Sequence, residues 1–187
     1  APSVTYPAGI INPNISPEKS TSYEAGLSTS LFTKLGLEVT YYNVTDENQI
    51  LDLSTSEASG FTTRKVNGNK YRTRGLEVMA NLAAIKRDEF SWDINANWSK
   101  SARRLIEIYN NQAKFGNLVL NDRADAYYGR VWQKSADGQV ILDANTGLPT
   151  RDNYFVNLGH NDPNWRLGVQ NRFKLKGFDF SFDIDGA

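Results

Sequence analysis

Three carboxylates, Asp179, Asp183 and Asp185, lie on one side of the stretch FDFSFDID that runs from Phe178 to Asp185. Carboxylate pairs are the chemistry of glycoside hydrolysis. Their neighbours point elsewhere. Strand side chains repeat with period two, so Phe178, Phe180, Phe182 and Ile184 take the opposite face. The preceding run alternates in the same way. Trp165, Leu167, Val169, Phe173 and Leu175 share a face, interrupted by Asn171, and Arg166, Gly168, Gln170, Arg172 and Lys174 make up the other. A tight turn at Lys176-Gly177 sets Leu175 opposite Phe178, Lys174 opposite Asp179 and Phe173 opposite Phe180. Arg172 then stands opposite Ser181, between Asp179 and Asp183. Bases meeting acids across a hairpin make a charge-compensated, water-facing wall rather than a catalytic pair.

The remaining chemical candidates sit in connections. The only histidine, His160, lies in LGHNDPNW with no triad or metal partner in its pattern, which reads as a turn residue. Asp143-Ala144-Asn145-Thr146-Gly147 opens like a calcium loop, with Asp143 and Asn145 as ligands. It lacks the third acidic ligand and the distal Glu, although Asp137 and Asp152 are close in sequence. A β-turn built on Asn-Thr-Gly accounts for the same residues. Calcium is the one cofactor left open. Asp137-Gly138, between Trp132 and Val140, predicts a small hairpin. Aromatic side chains stack on sugar rings and pack against proteins, so Tyr109, Tyr127, Tyr128, Trp132, Tyr154 and Trp165 are the binding candidates. Asp122, Arg123, Asp125 and Arg130 can add polar contacts beside them.

The elements that carry these residues are strands. Tyr23, Ala25, Leu27, Thr29 and Leu31 alternate with Glu24, Gly26, Ser28 and Ser30. After a turn at Thr33–Gly36 come Leu37, Val39 and Tyr41 against Glu38, Thr40 and Tyr42. Leu76, Val78, Ala80 and Leu82 alternate with Glu77, Met79 and Asn81. A turn at Ala84–Glu89 precedes Phe90, Trp92, Ile94, Ala96 and Trp98, set against Ser91, Asp93, Asn95 and Asn97. With the last hairpin this gives six antiparallel strands of about ten residues in three hairpins. Residues 1–19 are punctuated by Pro2, Pro7, Pro13 and Pro17.

The bulk composition agrees. The 187 residues carry 21 basic and 21 acidic side chains, which gives no field for nucleic acid. Cysteine is absent, which excludes disulfides and thiolate metal sites. Aromatics reach 12% and polar turn formers are abundant, a mixture that suits strands. No apolar run is long enough for a membrane helix, and no leader of the required pattern opens the chain.

Short turns lie at one end of every hairpin, whereas connections of 24 residues (46–69) and 65 residues (100–164) lie at the other. Strands of nine to eleven residues, apolar outward and polar inward, with this asymmetry, are the pattern of an outer-membrane β-barrel. Aromatics near strand ends (Tyr23, Phe32, Tyr41, Phe90, Trp98, Trp165, Phe178) suit an interfacial girdle. A soluble all-β carbohydrate-binding or adhesin module also alternates in this way, and a glycoside hydrolase fragment would use the aspartates. The charge of the polar faces and the length of the connections weigh against both.

In NPNISPEKSTSYEAGL (12–27), LEVTYYNVTDENQIL (37–51), YRTRGLEV (71–78), FSWDINANWSK (90–100) and GHNDPNWRLGVQNRFKLKGFDFSFDIDG (159–186), the chain resembles the SusC/RagA-like TonB-dependent outer-membrane transporters. The pairing of PNW with KGFDFSFDIDG is the most particular of these. The resemblance implies a bacterial outer-membrane location. It also implies that residues 1–187 are a C-terminal part of a plugged barrel of about twenty-two strands, since six strands cannot close. It implies transport rather than catalysis, with a SusD-like surface lipoprotein, the TonB complex acting through a plug outside this chain, membrane lipid, and a glycan or peptide ligand as partners. Residues 100–164 would then be an extracellular loop region. Glu24, Glu77, Asp93, Arg172, Asp179 and Asp183 would face the lumen, and Tyr127, Tyr128, Trp132, Tyr154 and Trp165 the ligand or partner.

Overall fold

A computed structural model describes residues 9–187; the prolines at 2 and 7 fall outside them. Six strands form one antiparallel sheet: β2 (Lys19–Leu31), β3 (Leu35–Glu47), β6 (Lys70–Lys86), β7 (Phe90–Glu107), β12 (Arg166–Leu175) and β13 (Phe178–Gly186). Their order across the sheet is β13-β12-β7-β6-β3-β2. The three hairpins pair as their sequence patterns require. In β12–β13 the register is Leu175 with Phe178, Phe173 with Phe180 and Arg172 with Ser181, as expected from the turn at Lys176-Gly177. Both turn residues adopt positive φ, 46° and 93°, the backbone that a two-residue hairpin demands.

Because directly paired residues point to the same side, the register defines rungs that run across the whole sheet. One face carries Leu31–Leu35–Leu82–Ile94–Asn171–Phe182, then Thr29–Leu37–Ala80–Ala96–Val169–Ile184, then Leu27–Val39–Val78–Trp98–Leu167–Gly186. The other carries Ser30–Gly36–Asn81–Asn95–Gln170–Asp183 and Ser28–Glu38–Met79–Asn97–Gly168–Asp185. No second sheet covers either face among the described residues. Phe178 and Phe180 are 79% and 62% exposed, and among the described residues the buried hydrophobic ones are Val66, Leu105 and Ile108. The chain is therefore a wall whose apolar side needs another medium, not half of a sandwich closed on itself.

Toward the short turns the apolar face ends in stacked rings. Phe173 lies 5.3 Å from Trp92, 6.1 Å from Phe182 and 6.2 Å from Phe180. Asn171, the polar interruption, is 7% exposed and accepts the Trp92 indole N–H at 3.2 Å. An amide beneath a Trp gives the indole its partner, so the exception serves the aromatic cluster.

Several boundaries differ from the sequence expectation. The first four strands of the sheet hold 13, 13, 17 and 18 residues rather than about ten. The β2–β3 turn is Phe32–Lys34, with β3 resuming at Leu35, and β6 continues through Ala84 to Lys86 across a bulge after Ala83. Likewise β7 runs to Glu107, so the long connection begins after residue 107 and not at 100. The extensions were missed because their polar and basic residues break the apolar alternation while their ladders continue.

The long connections are built structures. Between β3 and β6, β4 (Ile50–Ser54) pairs with β5 (Thr63–Asn67), which also pairs in parallel with β1 (Gly9–Ile11). Asn67 fastens this unit, since its amide nitrogen donates to Ser16 O at 2.8 Å and Asn48 O at 2.9 Å. After β7, β8 (Lys114–Phe115) meets β9 (Leu118–Val119), and β10 (Ala126–Trp132) pairs with β11 (Arg151–His160). The predicted hairpin at Asp137-Gly138 forms, with Lys134 bridging Val140 and Gly138 at φ 86°.

Candidate functional site

The six acids and bases singled out for a polar wall stand on one face of the sheet. Glu24 follows Tyr42, Gly75 and Ser101 on its rung. Glu77 pairs with Thr40 and Ser99, Asp93 with Arg172, and Asp183 with Gln170. Lys174 is directly opposite Asp179, yet the ion pair goes diagonally to Arg172, whose Nη2 lies 2.5 Å from Asp179 Oδ2 with Nε 3.1 Å from both oxygens. The planar guanidinium can address both carboxylate oxygens, and an ammonium cannot. Asp93 is held by Lys86 at 2.8 Å. Asp183 and Asp185 have no cation within ion-pair distance among the described residues. The face also holds a close backbone approach. Gly75 is buried directly under the ring of Tyr42, its cross-strand partner, where any side chain would have to displace that ring.

Beside the end of β7 the long connection is fastened by a buckle of polar residues. Residues 121–124 run beside the end of β7: Leu105 N donates to Asp122 O at 3.0 Å and Ala124 N to Arg103 O at 2.8 Å. Arg123 then clasps Asp125 with two bonds of 2.8 Å and reaches Asn164 Oδ1 and Asp162 O at 3.2 Å. Asp125 accepts Asp162 N at 2.9 Å. The Arg123 guanidinium pulls the Asp125 carboxyl down to about 2. Asp122 accepts the Tyr128 hydroxyl, Asn157 Nδ2 at 3.1 Å and Arg123 N at 2.9 Å, and the Tyr128 bond is the main cause of its lowered pKa. The sequence drew no distinction among these polar residues. The structure makes Asp122, Arg123 and Asp125 fasteners, while Arg130 lies over the ring of Phe155.

The aromatic candidates are divided by the β10–β11 ribbon. Tyr127 (58% exposed) and Tyr154 (74%) are open, and Tyr127 lies alongside Leu158 and Gly129. Tyr128 spends its hydroxyl on Asp122. Trp132 is capped by the Arg151 guanidinium at 5.0 Å. Trp165 lies against Gly186 at the edge of the sheet and shares a surface hollow with His160, the last residue of the ribbon. Tyr109 sits in the turn after β7, where its backbone N–H binds buried Asn69 at 3.3 Å. His160 ends β11, and its Nδ1 meets Asp162 O at 2.6 Å.

Asp143 is committed to its own turn. One carboxylate oxygen accepts Thr146 N at 2.8 Å, Asn145 N at 3.0 Å and the Thr146 hydroxyl at 3.0 Å, bonds that together lower its pKa. Gly147, at φ 67°, closes the turn through a 2.8 Å bond to Asp143 O. Among the described residues no three acidic, His or Cys side chains are gathered as metal ligands.

A family model described as "TonB dependent receptor-like, beta-barrel" matches residues 1–185. Among curated proteins, TonB-dependent receptor P26 of Formosa agariphila is 22% identical over 94% of this chain, and TonB-dependent receptor P3 of the same organism is 21% identical over 91%. The chain spans 21% and 20% of their lengths. Among solved structures, the RagAB peptide importer in its closed-closed state superposes with a TM-score of 0.68 at 16% identity, covering 93% of this chain and 21% of the other. Its open-open state gives a TM-score of 0.71 at 15% identity, covering 92% and 20%. At such identity these structures speak for the fold.

Proposed function

The chain belongs to the TonB-dependent receptor β-barrel family, and from that premise we propose that it forms part of the wall of an outer-membrane importer. The continuous rungs carry this reading: apolar residues cross six strands on one face, and polar residues do so on the other. A water-soluble sheet would bury the first against protein; here it faces lipid, and the second lines the lumen or grips the plug. Glu24, Glu77, Asp93, Arg172, Asp179 and Asp183 hydrate that inner surface. Two free sheet edges, β2 and β13, pair with further strands of a longer protein, because an open edge in lipid leaves backbone groups unsatisfied.

The built connections face the cell exterior. Their exposed aromatics, Tyr127 and Tyr154, contact the imported ligand or a SusD-like lipoprotein lid. The cargo is a glycan or a peptide; the similar RagAB structures are those of a peptide importer, and the stacking surface serves either. Energy arrives through the TonB complex acting on a plug outside this chain. The chain's own contribution is passive: shape, hydration and a docking rim.

Single cysteines separate the two faces, and this chain offers none of its own as background. In the complete receptor in cells, Leu27→Cys, Val39→Cys and Ile184→Cys are expected to resist a charged maleimide, whereas Glu77→Cys and Asp93→Cys react. Equal reaction of both sets in folded receptor would sink the assignment.

A further inference from the structure

The apolar face changes character abruptly at its long-connection end. Its last apolar rung is Ala25–Tyr41–Leu76, which continues into Lys100. The next is Tyr23–Asn43–Arg74–Ala102, and the one after is Thr21–Thr45–Arg72–Arg104. Arg104 in turn bridges Arg123 of the neighbouring segment. Each rung advances about 7 Å along the strand, so four cations gather within two rungs of the apolar band. At the opposite end the same face closes on Phe90, Leu175 and Phe178.

These cations lack counter-charges. Among the described residues none of Arg72, Arg74, Lys100 and Arg104 forms an ion pair. Arg74 donates to Asn43 Oδ1 at 3.4 Å and Arg104 to Asn121 O at 2.8 Å, both neutral acceptors. Arg72 Nε is enclosed without any acceptor. The acids nearby are committed: Glu47 to Lys70 at 2.6 Å, Asp125 to Arg123, Asp46 to Arg103 at 3.0 Å, and Asp122, which feels Arg104, to Tyr128 and Asn157. Like charges directly across a ladder, as Arg72 and Arg104 are, oppose pairing unless an anion lies between them. Guanidinium groups match phosphate oxygens in particular.

We propose that Arg72, Arg74, Lys100 and Arg104 bind the phosphate of a lipid headgroup in the membrane leaflet on the long-connection side. The inference rests on the reading that the apolar face meets lipid. Tyr23 and Tyr41 on the same rungs sit at the headgroup level, where amphipathic rings settle, and the acyl chains then lie along Leu27, Val39 and Val78.

The test uses the complete receptor in phosphatidylcholine nanodiscs containing either phosphorylated lipid A or the same lipid with its phosphate removed. Lipid retained by the protein is read by native mass spectrometry. The receptor is expected to retain the phosphorylated form preferentially. Arg74→Gln/Lys100→Gln/Arg104→Gln is expected to lose that preference by at least about tenfold. Arg104→Lys, which keeps the charge, retains most of it. Equal retention of both lipids by the native receptor overturns the proposal. So does displacement by millimolar inorganic phosphate, which would make this a site for free phosphate. A nitroxide at Leu27→Cys separates this outcome from failure of the premise. Relaxation by oxygen with no phosphate selectivity sinks only the headgroup site, and relaxation by a water-soluble nickel chelate sinks the lipid-facing assignment itself.

Discussion

Replacing Asp125 with Asn should loosen one part of the protein and leave the sheet intact. Asp125 receives two bonds from Arg123 and one from the Asp162 backbone, and the two side chains of the pair are 10% and 19% exposed. A carboxyl drawn from 3.8 to about 2 corresponds to roughly 2 kcal/mol of coupling between charge and fold. Residual water at the site brings this nearer about 1 to 2 kcal/mol. The Asn variant keeps the shape and removes the charge, so the buckle should open about 5- to 30-fold more often. Hydrogen exchange on the complete receptor at neutral pH reads this directly. Amides of Ala124, Asn161 and Asp162 are expected to exchange faster by that factor, while β12 and β13 stay unchanged. The folded pKa is depressed, so the stabilisation is present above about 4 and disappears as pH falls from there toward 2. Unchanged protection at residues 161 and 162 would show that backbone pairing alone holds the segment, and the reasoning from the buckle would fail.

Other perturbations read other parts of the wall. Val169→Arg, in the middle rungs of the apolar face, should cost about 2–4 kcal/mol of receptor stability in lipid, whereas Gln170→Arg beside it on the polar face should cost well under 1 kcal/mol; urea unfolding compares them. Gly75→Val should drive the Tyr42 ring off the backbone and lower stability by about 1–3 kcal/mol, and Tyr42→Ala added to it should recover part of the loss. Asn67→Ala removes three hydrogen bonds between the β4–β5 unit and its flanks, and should raise proteolysis near Ser16 and Asn48 without altering the ladder of β6 and β7.

What the sequence revealed and what it hid divide along a physical line. The β12–β13 register followed from period-two alternation and one Lys-Gly turn, because a slip of one residue would exchange every Phe for an acid. The short turns were placed less closely: those expected at 33–36 and 84–89 are 32–34 and 87–89, because their flanking strands run on past the apolar alternation. By contrast, Arg72, Arg74, Arg103 and Arg104 continue the ladders of β6 and β7 beyond the apolar band, where the backbone stays paired although hydrophobic periodicity has ended. Nothing in a one-dimensional pattern distinguishes such a strand from a polar loop. The buckle escaped for a related reason. Arg123 and Asp125 are two residues apart, but their third partner, Asp162, lies 37 residues further on and meets them only because β10 and β11 fold back together.

The same contrast bears on how this chain can be stable at all. Among the described residues the buried hydrophobic side chains are Val66, Leu105 and Ile108, too small a core for burial at about 25 cal/mol per Å2 to offset the chain entropy. The three buried residues lie in or beside the built connections, outside the apolar band. The band itself must draw its stabilisation from a surrounding apolar medium and from strands paired to β2 and β13. Expressed alone in water, residues 1–187 should therefore aggregate, and in detergent micelles they should regain strand content without the sharp cooperative unfolding of a closed barrel. A soluble, monomeric fragment with cooperative melting in plain buffer would mean that the apolar face finds cover within the chain, and both the wall and the lipid-headgroup site would have to be abandoned.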